Sequence, residues 1–127
     1  MNTPLFADLA AWIDSVLSAP LPEGIAAFHF NLYDSSTTYD LELVGAPTYD
    51  PEDSDWACDD IFMSSSPRFE IASEAVGPDW EAGLQAISQM ILRYLDAASA
   101  GASRLKAARA VSLGFVDGDL HLVWRAE

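Results

Sequence analysis

Residues 110–124, "AVSLGFVDGDLHLVW", restrict the fold more than any other stretch of the chain. Apolar side chains recur at every second position on both arms, the period of a β-strand with one buried face. Between the arms, Asp117 and Gly118 form the residue pair of a two-residue type I′ turn. Val111, Leu113 and Phe115 should then face inward on one arm, and Leu120, Leu122 and Trp124 on the other. A lone hairpin is marginal in water, so the rest of the chain must supply an apolar layer to cover it.

A second alternating pair lies upstream. In "GIAAFHFNLYD", Phe28, Phe30 and Leu32 share one face, and His29, Asn31 and Tyr33 the other. In "SSTTYDLELVG", Tyr39, Leu41 and Leu43 oppose Thr38, Asp40 and Glu42. Residues 34–37 between them are turn formers, so an antiparallel hairpin is predicted. Two segments have the helical period instead. Thr3 as N-cap and Pro4 at the first position precede Leu5, Leu9, Trp12, Ile13 and Val16, and Pro20 and Pro22 end that helix near Ser18.

Gly77, Pro78 and Asp79 open the clearest helix, with Trp80, Leu84, Ile87, Ile91, Tyr94 or Leu95, and Ala98 as its buried stripe and Gly101 as its stop. Residues 103–109 could add a short helical turn, and Phe69 with Ile71 one extra strand. The expected architecture is α+β and a single domain: an antiparallel sheet of two hairpins, with that one extra strand, packed on one face against the N-terminal helix and the long central helix. With 127 residues, half of them hydrophobic, the chain can bury one such core. The other face of the sheet should show His29, Asn31, Tyr33, Asp40, Glu42, His121 and Arg125.

Net charge is −14, unevenly placed: residues 1–67 hold twelve acids and no Lys or Arg, and residues 68–127 hold eight acids and all six bases. A half-chain without cations generates a field of one sign over part of the surface, which repels nucleic acid and anionic lipid and attracts basic proteins. No charge-free apolar run approaches the ~18 residues of a membrane span. "MNTPLFADLAAW" has no basic leader and carries Asp8, and the single Cys58 permits no intramolecular disulfide. The expected location is the cytoplasm, with no membrane and no nucleic acid as partner.

No residue is expected to be catalytic and no cofactor is expected. Cys58 has no His or Lys beside it in sequence, and Asp55, Asp59 and Asp60 would raise its pKa if they stayed close. His29 and His121 both fall on the polar phase of a strand. There is no nucleophile elbow, phosphate-binding glycine loop or paired zinc-ligand spacing. Asp53 and Asp55 begin like a calcium loop, but Ala57, Cys58 and Ser64 then stand where a ligand, the glycine and the closing glutamate belong. An irregular cation site from Asp50, Glu52, Asp53, Asp59 and Asp60 is the rival reading, and a role in solubility alone is the plain one.

Residues 50–60 concentrate six carboxylates, Asp50, Glu52, Asp53, Asp55, Asp59 and Asp60, around Trp56, and no base precedes Arg68. Such a cluster repels itself unless cations relieve it, which a basic partner would do. Trp56 is either the anchor of the loop in the core or an anchor in an interface.

An acidic α+β chain with the loop "YDPEDSDWACDD" and the hairpin "GFVDGDLHLVW" resembles the bacterial immunity proteins that accompany polymorphic and contact-dependent growth-inhibition toxins. The resemblance implies a cytoplasmic, non-enzymatic protein that binds and neutralises a cognate basic toxin domain, a nuclease by the logic of charge, since a surface that holds phosphates is basic. The six loop carboxylates would pair with toxin Lys and Arg, Trp56 would add contact area, and Tyr33, Asp40 and Glu42 would extend the patch. The alternatives are a DNA mimic that inhibits a DNA-binding protein, whose acids should line an extended face rather than bunch in one loop, and an unfamiliar metal-binding or enzymatic domain.

Overall fold

The upstream alternation closes into a hairpin, in which β1 (Ala27–Asp34) pairs antiparallel with β2 (Thr38–Ala46) from Ala27 opposite Ala46 to Asp34 opposite Tyr39. The computed structural model describes residues 3–18, 20–35, 37–50, 52–53, 56–57, 61–63, 68–76, 79–97, 99–116 and 120–126. The inward set of that hairpin, Phe28, Phe30, Leu32, Tyr39, Leu41 and Leu43, is buried throughout. Two short strands, β3 (Phe62–Met63) and β4 (Phe69–Ala72), pair antiparallel with opposite ends of β2. The extra strand expected at Phe69 and Ile71 is β4.

The downstream hairpin is β5 (Ala110–Phe115) with β6 (His121–Arg125). Its first arm lies parallel to β1, Ala27 opposite Ala110 and Leu32 opposite Phe115, so the order is β3-β2-β1-β5-β6 with β4 beside β2. The sheet is therefore mixed rather than wholly antiparallel. A parallel pair needs a long crossover, and α2 (Ser73–Val76), α3 (Trp80–Asp96) and α4 (Ala100–Lys106) supply it. Side-chain alternation gives the face of each strand and not its direction, which is why this join could not be read from periodicity.

These helices and α1 (Thr3–Ser18) cover the Phe28–Phe30–Leu32 face, with Leu9, Ile13 and Leu17 of α1 and Leu84, Ile87, Ile91, Tyr94 and Leu95 of α3 in the common core. The carboxylate of Asp79 accepts from the Ala82 N–H at 2.8 Å and starts α3, as its sequence predicts. Two details differ. Gly101 does not stop α3, which ends at Asp96; it lies inside α4, which Ser99 caps, and a methyl group at Gly101 would run into the Tyr94 hydroxyl. Its lack of a side chain serves close packing. Trp80 is 53% exposed, propped edge-on against Phe115, and leaves the buried stripe; Ala98 is outside the described residues.

In the second hairpin Val111 faces Trp124, but a bulge between Val111 and Ser112 then sets Ser112 against Leu122 and Leu113 against His121. One extra residue exchanges the faces. Leu122 is consequently 46% exposed, while the intervening Val123 packs on the main core. Among the described residues no helix is long and apolar enough to cross a membrane.

Candidate interaction surface

On the helix-free face, the register places Ala27, Ala46 and Ala110 side by side on three adjacent strands. Three methyl groups make a shallow floor, and the indole of Trp56, 5% exposed, lies in it with Tyr49, Ala57 and Leu120 around it. Tyr49 meets Trp56 edge-on at 5.4 Å, and the guanidinium of Arg109 stands 5.7 Å from the Tyr49 ring centre. Trp56 is thus the loop's anchor in the fold. Of the two roles left open by its sequence position, core anchor and interface anchor, its burial against the sheet shows the first.

Above this anchor Asp50, Glu52 and Asp53 are exposed. The Asp50 carboxylate accepts from the Glu52 N–H at 2.9 Å, and the Asp53 N–H donates to the Asp50 carbonyl at 3.2 Å, so the three acids share one turn. Asp55, Asp59 and Asp60, with Cys58, lie outside the described residues. Among the described residues no group of three His, Cys, Asp or Glu side chains is placed to hold a metal ion. Although no base is near this loop in sequence, the fold brings Arg109 to its foot from β5's approach.

Tyr33, Asp40 and Glu42 form a separate group. Glu42 is only 7% exposed; its Oε1 accepts from the Tyr33 hydroxyl at 2.9 Å and from the Asn31 amide at 3.2 Å, and its Oε2 lies 3.9 Å from Arg68 Nε. Arg68 also stacks 3.5 Å over the Tyr33 ring. A buried carboxylate is costly unless hydrogen-bonded and paired, and here it is both. Glu42, expected at a partner surface, is thus engaged from within by Tyr33, Asn31 and Arg68 and exposes little of itself. Asp40 is half-buried and accepts from Thr38 and Ser35 hydroxyls at 2.8 and 3.0 Å. Ala27 opposite Ala46 lies at one end of the ladder and Tyr33 opposite Asp40 near the other, roughly 20 Å apart at the usual rise per residue.

His29, expected on an open polar face, is buried beneath Trp56, its Nδ1 2.7 Å from the hydroxyl of fully buried Ser112. Burial lowers its pKa to about 4, and a side-chain hydrogen bond with Asn31 opposes that shift. The ring is neutral near pH 7, and the Ser–His pair is buried with the indole edge-on to the imidazole.

Two further clusters were not legible in the sequence. Tyr94, buried on α3, donates its hydroxyl to Asp14 of α1 at 2.5 Å, and burial, followed by that bond, raises the phenol pKa. Arg104 of α4 donates to the Leu17 carbonyl at the end of α1, so the two contacts tie α3 and α4 to α1, and a cavity of about 260 Å³ lies between α1 and α4. A second cavity, of about 360 Å³, opens between α3 and β6 and is lined by Trp80, Glu81, Leu84, Gln85, Ser88 and His121. Only the bulge brings His121 to that side, and no sequence signal announced it.

The chain matches no protein-family model, no curated protein and no solved structure.

Proposed function

We propose that this chain is an immunity-type binding protein, which holds a basic protein domain through its exposed carboxylates and performs no chemistry of its own. The partner is a cognate toxin domain, a nuclease in the reading that charge favours, and the encounter takes place in the cytoplasm. What supports the reading is the unequal use of the two signs of charge. Arg68, Arg93 and Arg109 lie over the rings of Tyr33, Phe6 and Tyr49, and Arg104 is held by the Leu17 carbonyl. The acids Asp8, Asp50, Glu52, Asp53, Glu74, Glu81 and Asp96 are exposed. Among the described residues exposed carboxylates outnumber exposed bases, and four of the bases already lie against rings or a carbonyl of the chain itself, which leaves a negative field suited to steering a basic surface into contact.

The test is capture of partners by the tagged chain from its native lysate at low and at moderate salt, with the product of the adjacent reading frame expressed alongside. A stoichiometric complex with a basic domain, weakened by salt, is the expected result. Absence of any protein partner under both conditions would overturn the reading.

A further inference from the structure

β6 is the outermost strand of the sheet, and among the described residues nothing pairs with its far edge. An open row of N–H and C=O groups is a template for another strand, and proteins usually blunt it with charge or proline. The five residues of β6, "HLVWR", contain no proline and one full charge, Arg125, at the far end. Leu122 in the middle is nearly half exposed.

The 360 Å³ cavity adjoins this edge on the helix side. Phe115 fixes one side of the Trp80 ring at 6.1 Å, while the residue as a whole remains half exposed. An indole surface, the side chain of Leu84 and the Glu81 carboxylate together match a long cationic side chain, whose methylenes lie on the apolar wall and whose head meets the acid. Asp79 and Glu81, at the start of α3, are both exposed.

We propose that the β6 edge and this cavity dock an extended basic segment of the partner protein, which adds to the sheet as a further strand and places one Lys or Arg side chain between Trp80 and Glu81. The inference rests on the basic partner proposed above and states where it is held. A net charge of −14 favours a cationic segment over a second copy of this chain, which would bring like charge to the same edge. The position of Arg125 sets the direction: the cation enters at the His121 end. In an added strand alternate side chains point the same way, so a basic residue at every second position suits the cavity side.

The probe is an acetylated and amidated octapeptide of alternating Arg and Val, titrated into the full-length, isotope-labelled protein and followed by amide chemical shifts. Shifts at His121–Arg125 and at the Trp80 indole N–H are expected, and N-methylation of every second peptide residue should abolish them. Trp80→Ala and Glu81→Gln should each weaken binding about fivefold, with unchanged circular dichroism, because neither side chain is buried in the core. Shifts confined to residues 50–53 would overturn this placement and leave the binding-protein reading intact. Equal binding of the N-methylated peptide, no shifts at millimolar peptide, or a concentration-dependent dimer through β6 would also overturn it. If β6 responds to the peptide while the lysate yields no partner, the docking edge stands and the immunity reading fails.

Discussion

The Trp56 indole stands edge-on to the His29 imidazole, ring centres 6.3 Å apart at 83°, so one side chain both anchors the acidic loop and roofs a buried histidine. Removing it should damage stability before it touches recognition. Trp56→Ala should cost about 3–5 kcal/mol, from lost burial and the cavity over the three alanines, and Trp56→Phe clearly less. Urea unfolding measures both; a loss below about 1 kcal/mol for Trp56→Ala would mean that the loop is not held by this residue.

The same roof makes stability depend on pH. His29 has a pKa of about 4 in the fold against 6.5 in the unfolded chain, so the unfolded state takes up the proton first. The associated stability is fully present above pH 6.5 and is lost as pH falls towards 4, a change of roughly 3 kcal/mol. His29→Gln should flatten that part of the profile while the carboxylate contribution at lower pH persists. Parallel unfolding curves for wild type and variant between pH 4 and 7 would contradict the assignment.

The acids of the turn should act on encounter and not on folding. Asp50→Asn, Glu52→Gln and Asp53→Asn together keep the hydrogen-bonding shape of the exposed turn and remove three charges. Association with the basic partner should slow several-fold at low salt and converge with wild type at high salt, with the thermal midpoint little changed. Stopped-flow association at two ionic strengths decides this, and an unaltered rate would move the interface elsewhere.

Glu42 should behave in the opposite way. Because its carboxylate is buried and bonded to Tyr33 and Asn31, Glu42→Gln should leave partner affinity unchanged. Arg68 is exposed, so a double-mutant cycle between the two should give a coupling of only about 0.5 kcal/mol. A large loss of affinity in Glu42→Gln would return this residue to the interface.

Gly101→Ala forces a methyl group against the Tyr94 hydroxyl and should cost about 1–3 kcal/mol. Adding Tyr94→Phe removes the obstructing oxygen, and the double variant should then be less destabilised than additivity of the two single variants requires. Strict additivity in thermal or chemical unfolding would show that the two groups do not collide.

Local features were well signalled. The span of α1, the faces of β1 and β2, and the start of α3 at Asp79 all follow from spacing and turn chemistry, whereas the turn expected at Asp117 and Gly118 lies outside the described residues and the register beside it is shifted by one. What escaped depends on contacts between distant residues. Periodicity cannot report that β5 runs parallel to β1, that a bulge turns Leu122 outward, or that Arg68 reaches Glu42. The loop acids were visible as composition, but the alanine floor under Trp56 exists only once three strands are in register. Burial then separated Glu42 and Trp56, which serve the fold, from Asp50, Glu52 and Asp53, which face solvent.

The parallel β1–β5 pair has a temporal consequence. β1 meets β2 a few residues later, but its other edge waits for a strand some 83 positions downstream, as His29 and Ser112 illustrate. During synthesis the middle of the sheet thus stays incomplete long after the β1–β2 hairpin is made, and until β5 emerges the most central strand carries an open flank. Such long-range closure slows folding, and a chain cut short after α4 would lack a partner at its centre rather than at its rim.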